Sequence, residues 1–406
     1  MSITNNFPKI AYFIPLVIVY LTVGQLQLLT PFISVALLYV IGIILLFILD
    51  KKITSYPFFT WCVCFSVVVL INNVTGDSYF SNIIQVLSTF FFIFFSCITS
   101  NYCIIDSRQK LAEQILRFFF IAVLYLTICS VILDINQPGV LRYATSLSYN
   151  GDDSLLKSLV LRGMSNYYLP HAIPMLIPPI VMGIKNRLLS KSLHLLLFLV
   201  LLVSLVLIFV SYATTPLLFA VLFLIISVFV KNGSLSKNIK VFLIVSLLFS
   251  PLIISQDIQL SLLGSIDSII GGEGELHSKI EMFKESIKYG KATGDMEERL
   301  DLYNESLAIF NSNLVIGTNG MVGGHSFILD LFASLGLVGF VLFVMFVYKQ
   351  VRYSLCFLPK FSHIYCYLSI SAGILMFLTK SMSNWEMWLV FFCIVPLLTK
   401  RLSMSK

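Results

Sequence analysis

Residues 192–210 read SLHLLLFLVLLVSLVLIFV, and after Ser211-Tyr212 residues 213–230 continue as ATTPLLFAVLFLIISVFV. Neither run carries a charged side chain. Neither shows the polar stripe that marks a half-buried helix of a soluble protein. A run of about 20 apolar residues matches the hydrocarbon thickness of a bilayer. In lipid, only a helix or a closed barrel satisfies its own backbone. The two runs therefore read as membrane helices, or as a re-entrant pair, since only two residues separate them.

The same pattern recurs outward from this pair. Further blocks cover 10–29, 31–49, 57–71, 82–100, 115–135, 169–184, 240–254, 326–348, 364–380 and 385–399. The expectation is an all-α, polytopic integral membrane protein, one membrane domain over 1–406 with about twelve spans. Composition agrees: 58% of residues are hydrophobic and 12% charged, against roughly 25% charged in a soluble domain. The net charge of +7 does not imply nucleic acid, because the basic residues sit mainly in short loops between apolar blocks. None of the eight Cys lies in a CxxC pair or at zinc spacing. The first block follows a polar start ending at Lys9 and reads as a signal anchor rather than a cleaved leader.

Basic residues set the expected orientation. Lys51 and Lys52, Arg108 and Lys110, Lys185 and Arg187, and Lys400 and Arg401 all fall on one side, in short segments. That side reads as cytoplasmic, with both termini on it. Two long loops, 136–168 and 255–325, fall on the other face, where binding and chemistry concentrate. Within the second loop, Leu276, Ile280, Phe283 and Ile287 mark one helical face. Leu300, Tyr303, Leu307 and Phe310 mark another, and Asp295, Glu297 and Glu298 suit its first turn. Two short helices are expected there. Pro170, Pro174, Pro178 and Pro179 predict an irregular helix at 169–184 that lines something. No internal repeat is visible, unlike many secondary transporters.

The densest signal runs from Arg299 to Gly339. It reads Arg299-Leu-Asp-Leu-Tyr303-Asn304, then Gly317-Thr-Asn319-Gly320, then Gly324-His325-Ser326 and Asp330, and closes with Gly336 and Gly339. This order resembles the signature of the O-antigen polymerase and ligase superfamily. In that family an Arg-bearing helix leads to a Gly-rich turn, and a His then opens a membrane helix containing Gly-x-x-Gly. Arg162-Gly-Met-Ser-Asn166 is similar to the element ending the family's other periplasmic loop. The chain departs from the pattern at Ser211-Tyr212-Ala213, which lacks the family's Arg, and at Ser326, where Asn often follows the His.

The resemblance implies a bacterial inner-membrane glycosyltransferase that joins undecaprenyl-pyrophosphate-linked repeat units. Donor and acceptor would be lipid-linked glycans, and a chain-length regulator is a conceivable partner. No nucleic acid, cofactor or metal is implied. His325 would be the general base, because its pKa lies near neutrality. Arg299 and Arg162 would hold pyrophosphate, which suits the planar guanidinium. Tyr303, Asn166 and Asn319 would contact sugar or phosphate, and Asp330 would support His325.

Each residue also has an ordinary reading. His325 could cap an interfacial helix, Arg299 could pair with Glu298 or Asp295, and Arg162 could snorkel. His171 and Glu386 are ionisable residues near membrane depth, and so are further candidates. Asp152-Asp153 reads as a solvated turn after Asn150-Gly151. Two other functions compete: a ligase moving glycan onto lipid A core, and a flippase for the same lipid-linked unit.

Overall fold

A computed structural model describes residues 11, 13–30, 35–74, 79–105, 108–137, 139–149, 152–165, 168–185, 191–211, 213–230, 256–270, 275–289, 295–318, 326–379 and 385–403. The expected span at 240–254 lies outside these residues. Among the described residues there are helices and no strand.

The first apolar block forms two helices rather than one, α1 (Phe13–Thr22) and α2 (Gly24–Leu29), separated by the extended backbone of Val23. Then come α3 (Val35–Leu49), α4 (Phe59–Val74), α5 (Tyr79–Cys103) and α6 (Gln109–Asn136). The first long loop holds α7 (Val140–Tyr149) and α8 (Ser154–Leu161). After it follow α9 (Tyr168–Lys185), α10 (Lys191–Val210) and α11 (Thr214–Phe229). The described residues of the second long loop form not two helices but three: α12 (Gln256–Ile270), α13 (Glu275–Tyr289) and α14 (Asp295–Ser312). The chain closes with α15 (Phe327–Cys356), α16 (His363–Thr379), α17 (Trp385–Leu389), a π turn at Val390–Ile394 and α18 (Val395–Ser403).

Among the described residues, four stretches are long and apolar enough to cross a membrane: Gln109–Asn136, Leu193–Val210, Phe327–Cys356 and Lys360–Thr379. Shorter apolar helices accompany them, including Phe13–Thr22, Phe59–Asn72, Leu169–Lys185 and Thr214–Phe229. Only 28% of Leu193–Val210 is buried within the protein. Leu195, Phe198, Leu202 and Phe209 face outward. So large an exposed apolar surface would drive aggregation in water and is at home against lipid.

The proline-bearing α9 is helical throughout, with Pro174, Pro178 and Pro179 inside it. Residues 169–183 are all buried, and α10, α11, α16 and α18 pack around the helix. The helix therefore forms the centre of the bundle. The expected irregularity is absent because neighbouring helices surround it on every side, where freed carbonyls are tolerated. A reciprocal amide pair also sits in the core. Asn101 Nδ2 donates to Gln350 Oε1 (3.0 Å) and Gln350 Nε2 to Asn101 Oδ1 (2.9 Å). Mutual pairing satisfies two polar groups that would be costly alone.

Polar ties sort the loops into two sets. At one end, Asp50 after α3 accepts from Tyr56 Oη (2.6 Å), the Lys52 amide (3.0 Å) and Arg108 Nη1 (3.2 Å). There too Lys185 Nζ donates to the carbonyls of Ser227, Val228 and Val230 at the end of α11. Lys400 Nζ donates to Phe357 O (2.6 Å), and Arg401 pairs with Glu113 (2.9 Å). Cations on the last carbonyls of helices complement the helix dipole. Every residue in this set comes from a segment the basic-residue pattern assigns to one face. The other set joins Gln25 to Leu161 and Asn72 to Thr318 and Ser334, all from segments assigned to the opposite face.

Candidate functional site

The centre of the second set is a break in α15. Gly336 has φ +62° and ψ −163°, so the helix runs as 327–335 and then 337–356. Residues 337–356 alone rise about 30 Å, a bilayer's thickness. The turn that follows α14 crosses this break backbone to backbone. Leu337 N donates to Leu314 O (2.9 Å) and Val338 N to Val315 O (3.1 Å). Thr318 N and Thr318 Oγ1 both donate to Ala333 O (3.0 and 3.3 Å). Asn72 Nδ2, from the end of α4, bonds Ser334 O (2.6 Å) and Thr318 O (3.2 Å). Donors and carbonyls exposed by the break are thus re-satisfied, which an apolar environment demands.

The crossing needs glycine twice. Gly317 (φ +70°) and Gly336 sit against each other, and a Cβ on Gly336 would lie 2.5 Å from Val315 O and 2.6 Å from Gly317 N. Above it, Phe310 of α14 packs edge-on against Phe332 (5.0 Å), which stacks on Phe340 across the break (3.8 Å). The two helices are therefore locked in register.

That register brings Arg299, Tyr303 and Ser306 of α14 toward Asp330 of α15. The spacing of four and three residues puts them on one helical face. Ser306, buried, donates to Asp330 Oδ1 (3.1 Å). Burial raises the Tyr303 phenol above its usual pKa; the Arg299 charge opposes this and the Asp330 carboxylate adds to it. Tyr303 stays a hydroxyl donor through the neutral range. Arg299 is half-buried and faces this group. Ser306 went unnoticed in the sequence, although its place one turn beyond Tyr303 is the signal that could have found it. Ser326, also buried, caps α15 by accepting from Leu329 N (3.2 Å). His325, the residue before this cap, lies outside the described residues, as do Asn319 and Asn166.

Arg162 stands elsewhere. It is exposed at the C-terminal end of α8. The next residues turn at Gly163 (φ +90°) and tuck into the bundle. Ser165 N donates to Ser130 Oγ (2.7 Å), which in turn contacts Ser165 Oγ (3.0 Å). Beside this anchor lies a cleft of about 250 Å³ between α1, α2, α6, α8 and α17. Its apolar wall includes Leu21, Leu126, Leu156 and Val160, and Thr22, Gln27, Ser165 and Glu386 supply polar groups. Asp153 and Lys157 complete it, 3.6 Å apart and half exposed. Glu386 is buried to 6% exposure. Two residues on, Trp388 packs edge-on against Phe327 (5.3 Å), so the cleft and the start of α15 are neighbours. Of the acidic pair, Asp152 makes the turn, accepting from Ser154 N (3.0 Å) and Oγ (2.6 Å), while Asp153 reaches the cleft.

One group has metal-ligand types. Asp267, His277 and Glu281 bring their ligand atoms within 4.8 Å of one another. Lys284 Nζ already bridges the carboxylates, 2.9 Å from Asp267 and 2.5 Å from Glu281, and His277 Nδ1 is 2.6 Å from Asp267 Oδ1. The cluster therefore reads as an ion-pair network fastening α12 to α13. Compared with known protein families and with curated sequences, the chain matches no family model and no curated protein.

Proposed function

We propose that the protein is a membrane glycosyltransferase that polymerises undecaprenyl-pyrophosphate-linked repeat units into a surface polysaccharide at the outer face of the bacterial inner membrane. On this reading the chain crosses the bilayer about twelve times with both termini inside. The observation that carries the reading is the backbone crossing at Gly336. It holds the Arg299–Tyr303 face of α14 against Asp330, on the same helix that His325 precedes. In sequence these are the elements that resemble the O-antigen polymerase and ligase superfamily.

The chemistry follows from the residue types. The acceptor hydroxyl attacks the anomeric carbon of the donor as its bond to the pyrophosphate oxygen breaks. His325 takes the hydroxyl proton. Arg299 holds the charge that develops on the departing pyrophosphate, and Tyr303 donates to the same oxygens or to the sugar. Arg162 would meet the second phosphate or the acceptor chain from the side of the cleft. A ligase would use the same donor chemistry with a different acceptor.

The test is polymerisation in vitro by purified protein supplied with its lipid-linked repeat unit. A ladder of lengthened lipid-linked glycans is expected. General-base catalysis is worth about 10²–10⁴-fold, so His325→Ala should cut the rate by that factor. A charge-assisted bond is worth about 1.5–3 kcal/mol, so Arg299→Ala should cost about 10–150-fold. No ladder from the authentic unit, together with its transfer to lipid A core or its movement across the bilayer, would replace the polymerase with a ligase or a flippase.

A further inference from the structure

Apart from Arg162 beside it, the Glu386 cleft plays no part in the chemistry above, yet it is built as a site. It draws on segments far apart in sequence that the basic-residue pattern assigns to one face: the α1–α2 corner, α8 with its return turn, and the start of α17. A buried carboxylate forms part of it. An ionisable group near membrane depth marks function more often than packing. We propose that this cleft binds one sugar ring, as the acceptor subsite of the polymerase, with Glu386 taking hydrogen bonds from ring hydroxyls.

The chemistry of the walls selects that ligand. At about 250 Å³ the cleft is far larger than one water or ion needs. It falls just short of the roughly 300–1,000 Å³ of pockets for drug-sized ligands. A single ring is the size class in between. Two of the cleft's polar side chains already use their protons inward. Thr22 Oγ1 donates to Ile18 O (2.7 Å), and Gln27 Nε2 donates to Tyr20 O (3.2 Å) and Leu21 O (3.0 Å). Toward the cleft they can offer oxygen lone pairs, as the carboxylates of Glu386 and Asp153 do. An acceptor-rich cleft calls for a ligand rich in O–H donors. Lys157 supplies the opposite polarity, for ring or substituent oxygens. Leu21, Leu126 and Val160 supply the apolar groups that would meet the C–H face of a pyranose. An anionic headgroup would meet two carboxylates and one ammonium, and so is disfavoured.

The acceptor role rests on the polymerase reading; sugar binding at Glu386 does not. Both are tested with the full-length protein in nanodiscs. The probe is the one-repeat oligosaccharide released by mild acid from the cell's own lipid-linked intermediate, and binding is measured by calorimetry. Glu386→Gln keeps the shape of the side chain and removes the charge. Leu156→Trp fills the cleft from α8, outside the bundle core, and carries the test if the first variant fails to fold. Both should weaken binding at least tenfold, and ethanolamine should bind more weakly than the oligosaccharide. In polymerisation, Glu386→Gln should raise the acceptor KM at least tenfold and leave kcat within threefold.

Wild-type binding that neither variant disturbs, absence of binding, or tighter binding of ethanolamine would overturn the sugar site. A ladder alongside such a result would leave the polymerase standing without it. Glu386-dependent binding without a ladder would keep the site and remove its acceptor role.

Discussion

Replacing Gly336 by Ala tests the crossing on which the arrangement of the site depends. The residue sits at φ +62°, ψ −163°, a region populated almost only by Gly and costing another residue about 1–3 kcal/mol. The new Cβ would also lie 2.5 Å from Val315 O and 2.6 Å from Gly317 N. Both are backbone atoms, so no side-chain rotation relieves the clash. The 314–318 segment must retreat, and the bonds from Leu337 N and Val338 N go with it. Each is worth about 0.5–1.5 kcal/mol. Ala also favours a continuous helix over Gly by about 1 kcal/mol, which pulls the two halves of α15 into line.

Against the closed crossing, these effects total about 3–7 kcal/mol, or between about 150-fold and about 10⁵-fold in its closed-to-open ratio. Hydrogen–deuterium exchange of peptides spanning 311–318 and 333–340 reads that ratio directly. Gly264→Ala is the control, since a Cβ there has nothing within 4 Å and Ala suits the interior of α12. Faster exchange confined to the two crossing peptides in Gly336→Ala, with Gly264→Ala unchanged, is the expected result. If Gly336→Ala exchanged like the wild type and kept full activity, backbone strain would not be what fixes the register of α14 on α15.

Asn72→Ala removes the side-chain donor from Ser334 O and Thr318 O. It should destabilise the same crossing by about 1–3 kcal/mol, seen as a lower thermal midpoint and faster exchange of the same peptides. Asp267 lies outside the spans. Its hydrogen bonds from His277 and then Lys284 hold its carboxyl below the usual range. A depressed folded pKa means that the α12–α13 fastening is fully present above the unfolded value of about 3.9 and fades as pH falls through the folded value. A spin-label distance across the two helices should stay constant from neutrality to about pH 5 and broaden at lower pH. Asp267→Asn should be broad at every pH, and a wild-type distance indifferent to acid would count against the fastening.

The membrane helices were legible because lipid imposes one rule on every block. The runs at 192–210 and 213–230 became α10 and α11 almost residue for residue. The helices α13 and α14 were equally plain from the runs at 276–287 and 300–310, although Phe283, Leu300 and Leu307 of their expected faces stay exposed. By contrast, α12 escaped notice: Ile258, Leu262 and Ile266 follow an apolar block directly and blur into it, and all three remain exposed. Gly336 and Gly339 were visible as a motif. Yet glycine in a membrane helix usually signals close packing, and nothing local says that one of the pair breaks the chain. The bonds that use the break come from residues about 20 positions earlier and from Asn72. No periodicity encodes such partners. Glu386 stood out as an acid at the edge of a span, but its cleft is assembled from residues 21–28, 126 and 153–165, which only the fold joins.

The Gly336 crossing and the Glu386 cleft are built by different means, and the difference bears on what each can do. A broken membrane helix leaves carbonyls and amides that cannot be left open in an apolar layer. Here they are closed by the chain that carries Arg299 and Tyr303, so that helix cannot slide along α15 without orphaning backbone groups on both. Reaction geometry tolerates little error, and misplacement by 1 Å can cost about 10²-fold in rate. On the proposed reading, backbone bonds at the break are therefore the right means to hold a group that would meet a transferring phosphate. The cleft at Glu386 is held instead by side chains: Ser130 on Ser165, Gln25 Nε2 on Leu161 O (2.7 Å) and Tyr125 Oη on Gln25 (2.7 Å). Such contacts can be exchanged one at a time without opening the membrane helices. A polymerase needs the same pyrophosphate chemistry whatever the glycan, whereas its acceptor pocket must follow the sugar. On the proposed reading, rigid backbone closure at Gly336 and side-chain construction around Glu386 would divide these two demands within one molecule.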